Sequence, residues 1–201
     1  MSRCGAGNRG VVSSLDVFAE LSPPYSTIVA DPPWDYREGW APFGPTSRGG
    51  DRPERRPLPY SGMAVDDIAA LPVDSLAAPD AHLYLWTTNR YLRAAYDVAE
   101  AWGFKPTQTL VWCKPPMGVG PGGAFSITTE FVLFGRRGRP GQRTRIDSTW
   151  WEWPRGAHSA KPPAFLDMVE RVSPGPYVEL FARAPRLGWD SWGKGYELGV
   201  A

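Results

Sequence analysis

The chain has 201 residues, enough for one substantial core and too few for two comfortable domains. Its 22 basic and 21 acidic residues leave a net charge of +1, which says nothing until its distribution is read. Two cysteines exclude a disulfide framework, and two histidines with distant cysteines lack any zinc spacing, so no metal is expected. The first residues, Met1 to Gly7, are polar and glycine-rich, and no long apolar segment follows, which predicts a soluble, cytoplasmic protein with no membrane partner.

In chain order, a short helix is predicted around Ser14 to Leu21, with Val17, Phe18 and Leu21 on one face. The apolar run Tyr25 to Ala30, bounded by prolines, predicts a buried strand. Val65 to Leu71 reads as a second short helix and Ala81 to Trp86 as a strand. Between Arg90 and Trp102, Leu92, Ala95, Tyr96, Ala99 and Trp102 recur at helical spacing, with Gly103 placed to end the helix. Thr107 to Cys113 and Thr129 to Gly135 are the next strands. Pro162 to Ser173 opens with prolines suited to a first helical turn and stops at Pro174-Gly175. Tyr177 to Arg183 is the last predicted strand. Strands alternating with helices imply parallel pairing and a three-layer α/β fold.

Asp31-Pro32-Pro33-Trp34 follows the first strand directly, placing a carboxylate at a strand's carboxyl end. In an open α/β sheet ligands bind in the crevice beyond those ends, so Asp31 and an exposed indole would meet a substrate there. The chemistry that needs such a tetrapeptide is attack by a poor nitrogen nucleophile, the exocyclic amino group of adenine or cytosine. Its lone pair is delocalised into the ring and must be drawn out of plane. A carboxylate oxygen and a backbone carbonyl, held as acceptors for the two amino hydrogens, would do so. Pro32 and Pro33 fix two φ angles and remove nearby donors, and Trp34 offers a face on which a base can stack. The bland alternative is a rigid turn and a core tryptophan.

The tetrapeptide resembles the signature of the MT-A70-like adenine amino methyltransferases. The resemblance continues through Leu83 to Asn89, Leu110 to Lys114, Thr129 to Arg136, His158-Ser159-Ala160-Lys161-Pro162, Tyr177 to Arg183 and Gly188 to Gly193, in the family's order. It implies a Rossmann-like three-layer methyltransferase fold with a mostly parallel sheet, in which the catalytic motif precedes the cofactor motif. It further implies S-adenosylmethionine as cofactor, held by Asp31, Lys161, Glu179, Phe181, Arg183, Gly193 and Lys194, with Asp31, Pro32, Pro33 and Trp34 catalytic. Lys194 stands where the family usually has Asn, and Pro185-Arg186 where eukaryotic members carry His-Asn, so the parts of Lys194 and Arg186 are open.

Five arginines (37, 48, 52, 55, 56) lie between Arg37 and Pro57, and five more, Arg136, Arg137, Arg139, Arg143 and Arg145, lie within ten residues free of acids. Both stretches read as loops that could flank one cleft and pair with phosphates, the alternative being a merely solvated run. Arg37, Arg55, Arg56, the second cluster, Trp151 and His158 are therefore the expected nucleic-acid contacts. Ten tryptophans is a high number for this length. Trp86, Trp102 and Trp112 are expected in the core, whereas Trp150, Trp151 and Trp153 either stack a base or pack a lid.

The expected organisation is a single methyltransferase domain over residues 1–201, with 1–12 flexible and 37–59 and 136–157 as active-site loops. The expected activity is methylation of the adenine amino group in nucleic acid, with DNA favoured over RNA because compact members are mostly prokaryotic or viral. A homodimer or heterodimer is compatible with this reading. The alternatives are a noncatalytic nucleic-acid-binding partner of an active homologue, against which the intact Asp31 argues, and a small-molecule or protein amine methyltransferase, which would not need two arginine-rich loops.

Overall fold

The computed structural model describes residues 17–36, 62–115, 125–156 and 160–193. Within them run β1 (Tyr25–Ala30), α1 (Val65–Ala69), β2 (Ala77–Thr87), α2 (Leu92–Ala101), β3 (Lys105–Cys113), β4 (Thr129–Arg137), β5 (Trp150–Glu152), α3 (Pro163–Val172), β6 (Tyr177–Leu180) and β7 (Trp189–Trp192). The strands form one seven-stranded sheet in the order β5-β3-β4-β2-β1-β6-β7.

Strand alternation divides the core in two. Ile28, Ala30, Leu83, Leu85, Leu133, Val178 and Leu180 point to one face, where they pack with Ile68 of α1 and Ala95, Val98 and Ala99 of α2. Val29, Tyr84, Trp86, Val132 and Phe134 point to the other, where they meet Phe165, Met168 and Val169 of α3. Strands covered on both faces carry continuous apolar runs, as Ile28-Val29-Ala30 does in β1, and the result is the expected three-layer α/β architecture. Trp86, Trp102 and Trp112 are all buried, as the periodicity predicts. The Trp102 indole N–H donates to the Ile68 carbonyl at 3.1 Å, which ties α1 to the end of α2.

Three expectations change. Residues 17–20 make turns instead of a helix, although Phe18 and Leu21 are buried as the spacing predicts. The Leu21 N–H donates to the Phe18 carbonyl at 2.9 Å, a three-residue closure. The short edge strands β5 and β7, of three and four residues, have too few positions to show a period and carry no signal in the sequence.

The third change concerns β4, which runs antiparallel to both of its neighbours. Thr129 pairs with Cys113 and Arg136 with Lys105, so β4 returns along β3 from the same edge of the sheet. A parallel pair needs a crossover on the sheet's face, whereas an antiparallel pair is joined at one edge. The remaining pairings, β1 with β2 and β6, β3 with β5, and β6 with β7, are parallel. The sheet is thus mostly parallel, with one reversed strand inside it.

At its far end β4 leaves the sheet through Gly138, whose φ of +61° is left-handed. A methyl group there would run into the Asp80 carboxylate and the Pro79 carbonyl. Gly138→Ala should therefore lower stability by about 1–3 kcal/mol in urea denaturation. An unchanged midpoint would show that this exit from β4 is not constrained.

Candidate active site

Alternation also decides which polar side chains meet. Asp31 continues β1 on the Val29 side, Glu179 lies between Val178 and Leu180, and Glu130 and Lys114 continue the Val132 and Trp112 positions. All four point to the face covered by α3, at the sheet edge where β1, β2, β3 and β6 end and β4 begins. Lys161, two residues before α3, enters among them.

The Lys161 ammonium donates to both Asp31 carboxylate oxygens at 2.7 Å. It lies 3.6 Å from a Glu130 oxygen and 5.1 Å from the centre of the Trp86 ring. The other Glu130 oxygen accepts from Lys114 at 2.8 Å, and an Arg183 nitrogen lies 3.9 Å from Asp31. Lys161 and Asp31 are each about a fifth exposed or less, so the pair is partly desolvated and rigid compared with a surface ion pair. Burial disfavours the Lys161 charge, but Asp31 and Glu130 outweigh it and hold its pKa above the ordinary lysine value.

The proline loop is fixed by backbone bonds. The Pro32 carbonyl accepts from the Trp34 N–H at 2.9 Å and the Pro33 carbonyl from the Met63 N–H at 2.7 Å, while the Asp35 N–H donates to the Met63 carbonyl at 3.1 Å. The Pro32 carbonyl retains one lone pair, as does each Asp31 oxygen beyond its bond to Lys161.

Trp34 does not present the exposed indole expected of it. It is 3 % exposed, stacks on Tyr91 with ring centres 5.2 Å apart, and donates its indole N–H to the Trp86 carbonyl at 3.1 Å. Its short bridge to Met63 turns the ring inward. Tyr36 is the aromatic residue left partly exposed beside it, its hydroxyl 3.0 Å from that of Thr88.

Glu179 pairs with Val29 in the register of β1 and β6. No described residue gives its carboxylate a hydrogen bond or ion pair. Burial, followed by the nearby Asp31, raises its pKa to about 7. Phe181 turns the chain out of β6 with a left-handed φ of 65° and packs edge-on to Trp192, and Gly193 ends β7 with φ 109°. Phe181, Gly193 and Glu179 therefore lie in or just beyond the neighbouring strands β6 and β7, next to β1. Arg186 does not join them, since it donates to Glu170 at 2.9 Å and Asp167 at 2.7 Å on α3.

The second arginine cluster is not at this edge. Because β4 is reversed, Arg136 pairs with His82, which pairs with Thr27 near the start of β1. Arg136 lies six residues along β4 from Glu130, about 20 Å at ordinary strand rise. The expectation that residues 136–157 flank the Asp31 cleft thus fails for the arginine run at their start, while β5 runs back toward that end of the sheet parallel to β3. Trp151 and Trp153 stack on one another at 5.3 Å and Trp153 packs against Phe165, so these two indoles are packed instead of standing free. Arg37, Arg55, Arg56, His158 and Lys194, with residues 1–12 and 37–59, lie outside the described residues.

Glu130 and Lys114 are the residues that sequence reasoning missed. Both lie in or beside blocks that carry the family resemblance, but only the antiparallel pairing of β3 with β4 brings them together.

A model of the MT-A70 family matches residues 25–195. The chain belongs to the MT-A70 family. It is 34 % identical over 195 residues to the type II methyltransferase M.MunI of Mycoplasma sp, covering 90 % of this chain and 83 % of that protein. It is 29 % identical over 178 residues to an Arabidopsis thaliana N(6)-adenosine-methyltransferase MT-A70-like protein, covering 84 % of this chain and 23 % of that one. Against the human N(6)-adenosine-methyltransferase catalytic subunit METTL3 it is 26 % identical over 167 residues, covering 79 % and 26 %. The chain thus spans about a quarter of the length of these eukaryotic relatives. No helix among the described residues is long and apolar enough to cross a membrane.

The Glu179 carboxyl sets a pH dependence. Its pKa is raised from 4.5 to about 7, so the fold favours its neutral form. That contribution to stability is present below pH 4.5 and is lost as pH rises through 7. Glu179→Gln, which keeps the shape without the charge, should gain stability over the parent by about 1–3 kcal/mol between pH 5 and pH 8. A difference in melting temperature that stays flat across this range would contradict the burial of Glu179.

Proposed function

We propose that the chain transfers a methyl group from S-adenosylmethionine to the exocyclic amino nitrogen of adenine in nucleic acid. The observation that carries this reading is the Asp31 carboxylate at the carboxyl end of β1, pinned by Lys161 beside a proline loop whose Pro32 carbonyl keeps a free lone pair. Two acceptors held this way can take the two hydrogens of one amino group and turn its nitrogen lone pair out of the ring plane. The fixed positions of the acceptors mean that little freedom is lost when the base arrives. The Tyr36 ring is the stacking surface, in place of the buried Trp34.

The residues present fit the cofactor. Glu179 is a half-buried carboxylate with no described partner, suited to a vicinal diol, and Phe181 and Gly193 leave the sheet beside it. Arg183 and Lys161 supply positive charge for a carboxylate. When bound there, S-adenosylmethionine supplies a methyl group on a positively charged sulfur, a good leaving group. Asp31 and the Pro32 carbonyl orient the amino nitrogen, Trp153, packed on Phe165, helps to exclude water, and the surplus proton on the alkylated nitrogen leaves to solvent. No described residue has to act as a base.

DNA is favoured over RNA as the substrate. The chain covers most of a compact methyltransferase from Mycoplasma sp but only about a quarter of the eukaryotic adenosine methyltransferases. RNA remains the second reading because of the likeness to those proteins. The target base must be unpaired or drawn out of the duplex to reach Asp31. Arg37, Arg55 and Arg56, which follow Tyr36 in the chain, are proposed to contact phosphates.

Asp31→Ala and Asp31→Asn should each lower methyl transfer by at least tenfold, more than about 1.4 kcal/mol, while calorimetry still detects S-adenosylmethionine binding. The amide offers one acceptor atom in place of two. Turnover above about a tenth of the parent in either variant would remove Asp31 from the mechanism.

Glu179→Ala should weaken S-adenosylmethionine binding in calorimetry by about tenfold while circular dichroism shows the fold intact. Unchanged affinity would place the cofactor elsewhere.

A further inference from the structure

The end of the sheet opposite Asp31 carries chemistry that the proposed mechanism does not use. Two of the five clustered arginines have guanidinium groups tied to the protein. Arg137 donates to the Asp74 carbonyl at 2.8 Å. Arg143 donates through its backbone to the Val172 carbonyl at 2.9 Å and through its guanidinium to that of Glu170 at 3.4 Å. It therefore lies against the carboxyl end of α3, where the helix favours a cation.

Arg136 and Arg145 instead line one cavity of about 670 Å³, between the strands β3 and β4, residues 142–149 and α3. Neither has an ion-pair partner among the described residues. The same cavity is lined by Phe134 and Trp151, and the Arg136 guanidinium lies 5.9 Å from the Phe134 ring centre. Tyr84 also lines it and is held in place, its hydroxyl 2.8 Å from the Ser173 hydroxyl, which is in turn 2.8 Å from the His82 ring. Asp147 is the carboxylate on the lining, so the charge there stays positive.

The volume lies in the range of small-molecule sites. Aromatic walls suit a flat heterocycle, and two unpaired guanidinium groups suit a phosphate. We propose that this cavity is a second, noncatalytic site for a nucleoside phosphate, with the base against Trp151 and Phe134 and the phosphate on Arg136 and Arg145. A free nucleotide and a nucleotide of the substrate strand share this chemistry. The strand source rests on the function proposed above, and it would place an anchored nucleotide about 20 Å from the reacting one.

The test is equilibrium dialysis of labelled deoxyadenosine monophosphate against the protein saturated with S-adenosylhomocysteine. A single-stranded oligonucleotide is titrated in parallel. The parent protein and Asp31→Ala should bind the mononucleotide alike, which locates it away from the cleft. The double variant Arg136→Ser/Arg145→Ser should bind it at least tenfold more weakly, with an unchanged melting temperature. An equal loss of oligonucleotide affinity in the double variant identifies the strand as the source. An unchanged oligonucleotide affinity identifies a free nucleotide. The proposal is overturned if the parent binds no mononucleotide and the substitutions leave oligonucleotide affinity unchanged, or if mononucleotide binding is lost in Asp31→Ala and kept in the double variant. Absence of methyl transfer to nucleic acid with mononucleotide binding intact would overturn the proposed function and leave this site standing.

Discussion

The contact on which the site depends is the bond of one ammonium group to both oxygens of one carboxylate. Lys161 approaches Asp31 from the segment before α3, and Asp31 directly follows the inner strand β1. A partly buried pair of this kind fixes position more than it adds stability, because much of its attraction offsets lost hydration. What it fixes here is the distance between the α3 layer and the sheet at the edge where the proline loop begins. The surrounding charges make that arrangement tolerable. Glu130 stands between Lys161 and Lys114, and Arg183 lies 3.9 Å from Asp31. Alternating signs let several charges share a small volume without leaving one unpaired. Glu179 has no such neighbour contact, and its raised pKa follows from that difference.

The reversal of β4 gives the sheet two unlike ends. At one end it delivers Glu130 to the Asp31 cluster. At the other it delivers Arg136 to a cavity walled by α3 and residues 142–149. Both ends share the α3 face, because Glu130, Val132, Phe134 and Arg136 are separated by steps of two along one strand. A single strand thus carries a carboxylate to the Asp31 cluster and a guanidinium to the remote cavity. Had β4 been parallel, the arginine run would have emerged beside Asp31, as the sequence alone suggests. The M.MunI relation and the MT-A70 match both extend across this region, so the reversed strand lies within the shared part of the chain.

Much of this was legible in the residues. The apolar run that ends at Ala30 sets β1 to the residue, and Pro163 and the stop at Pro174-Gly175 bracket α3. The blocks around Asp31, Lys161 and Glu179 point to one site, and strand alternation brings the Asp31 and Glu179 side chains to the face that Lys161 enters. Three features were hidden for physical reasons. Strand direction is not encoded by apolar alternation, which reads the same forward and backward, so β4 could not be oriented. Trp34 looked exposed because a proline turn normally projects its last residue, and only the bridge to Met63, a residue 29 positions later, turns it inward. The arginine run looked like one patch because composition cannot tell a guanidinium tied to a carbonyl, as in Arg137 and Arg143, from one facing open space.

The claim at the centre of this account is that the acceptor is the amino nitrogen of adenine. The measurement that bears on it most directly is product identification. The protein is incubated with methyl-labelled S-adenosylmethionine and, separately, with single-stranded DNA, duplex DNA and RNA. Each polymer is then digested to nucleosides and the labelled species is separated and identified. Label is expected in N6-methyl-deoxyadenosine from DNA, with single-stranded DNA at least as good a substrate as duplex. Label confined to a cytosine product, or to the protein with none in any nucleic acid, would contradict it.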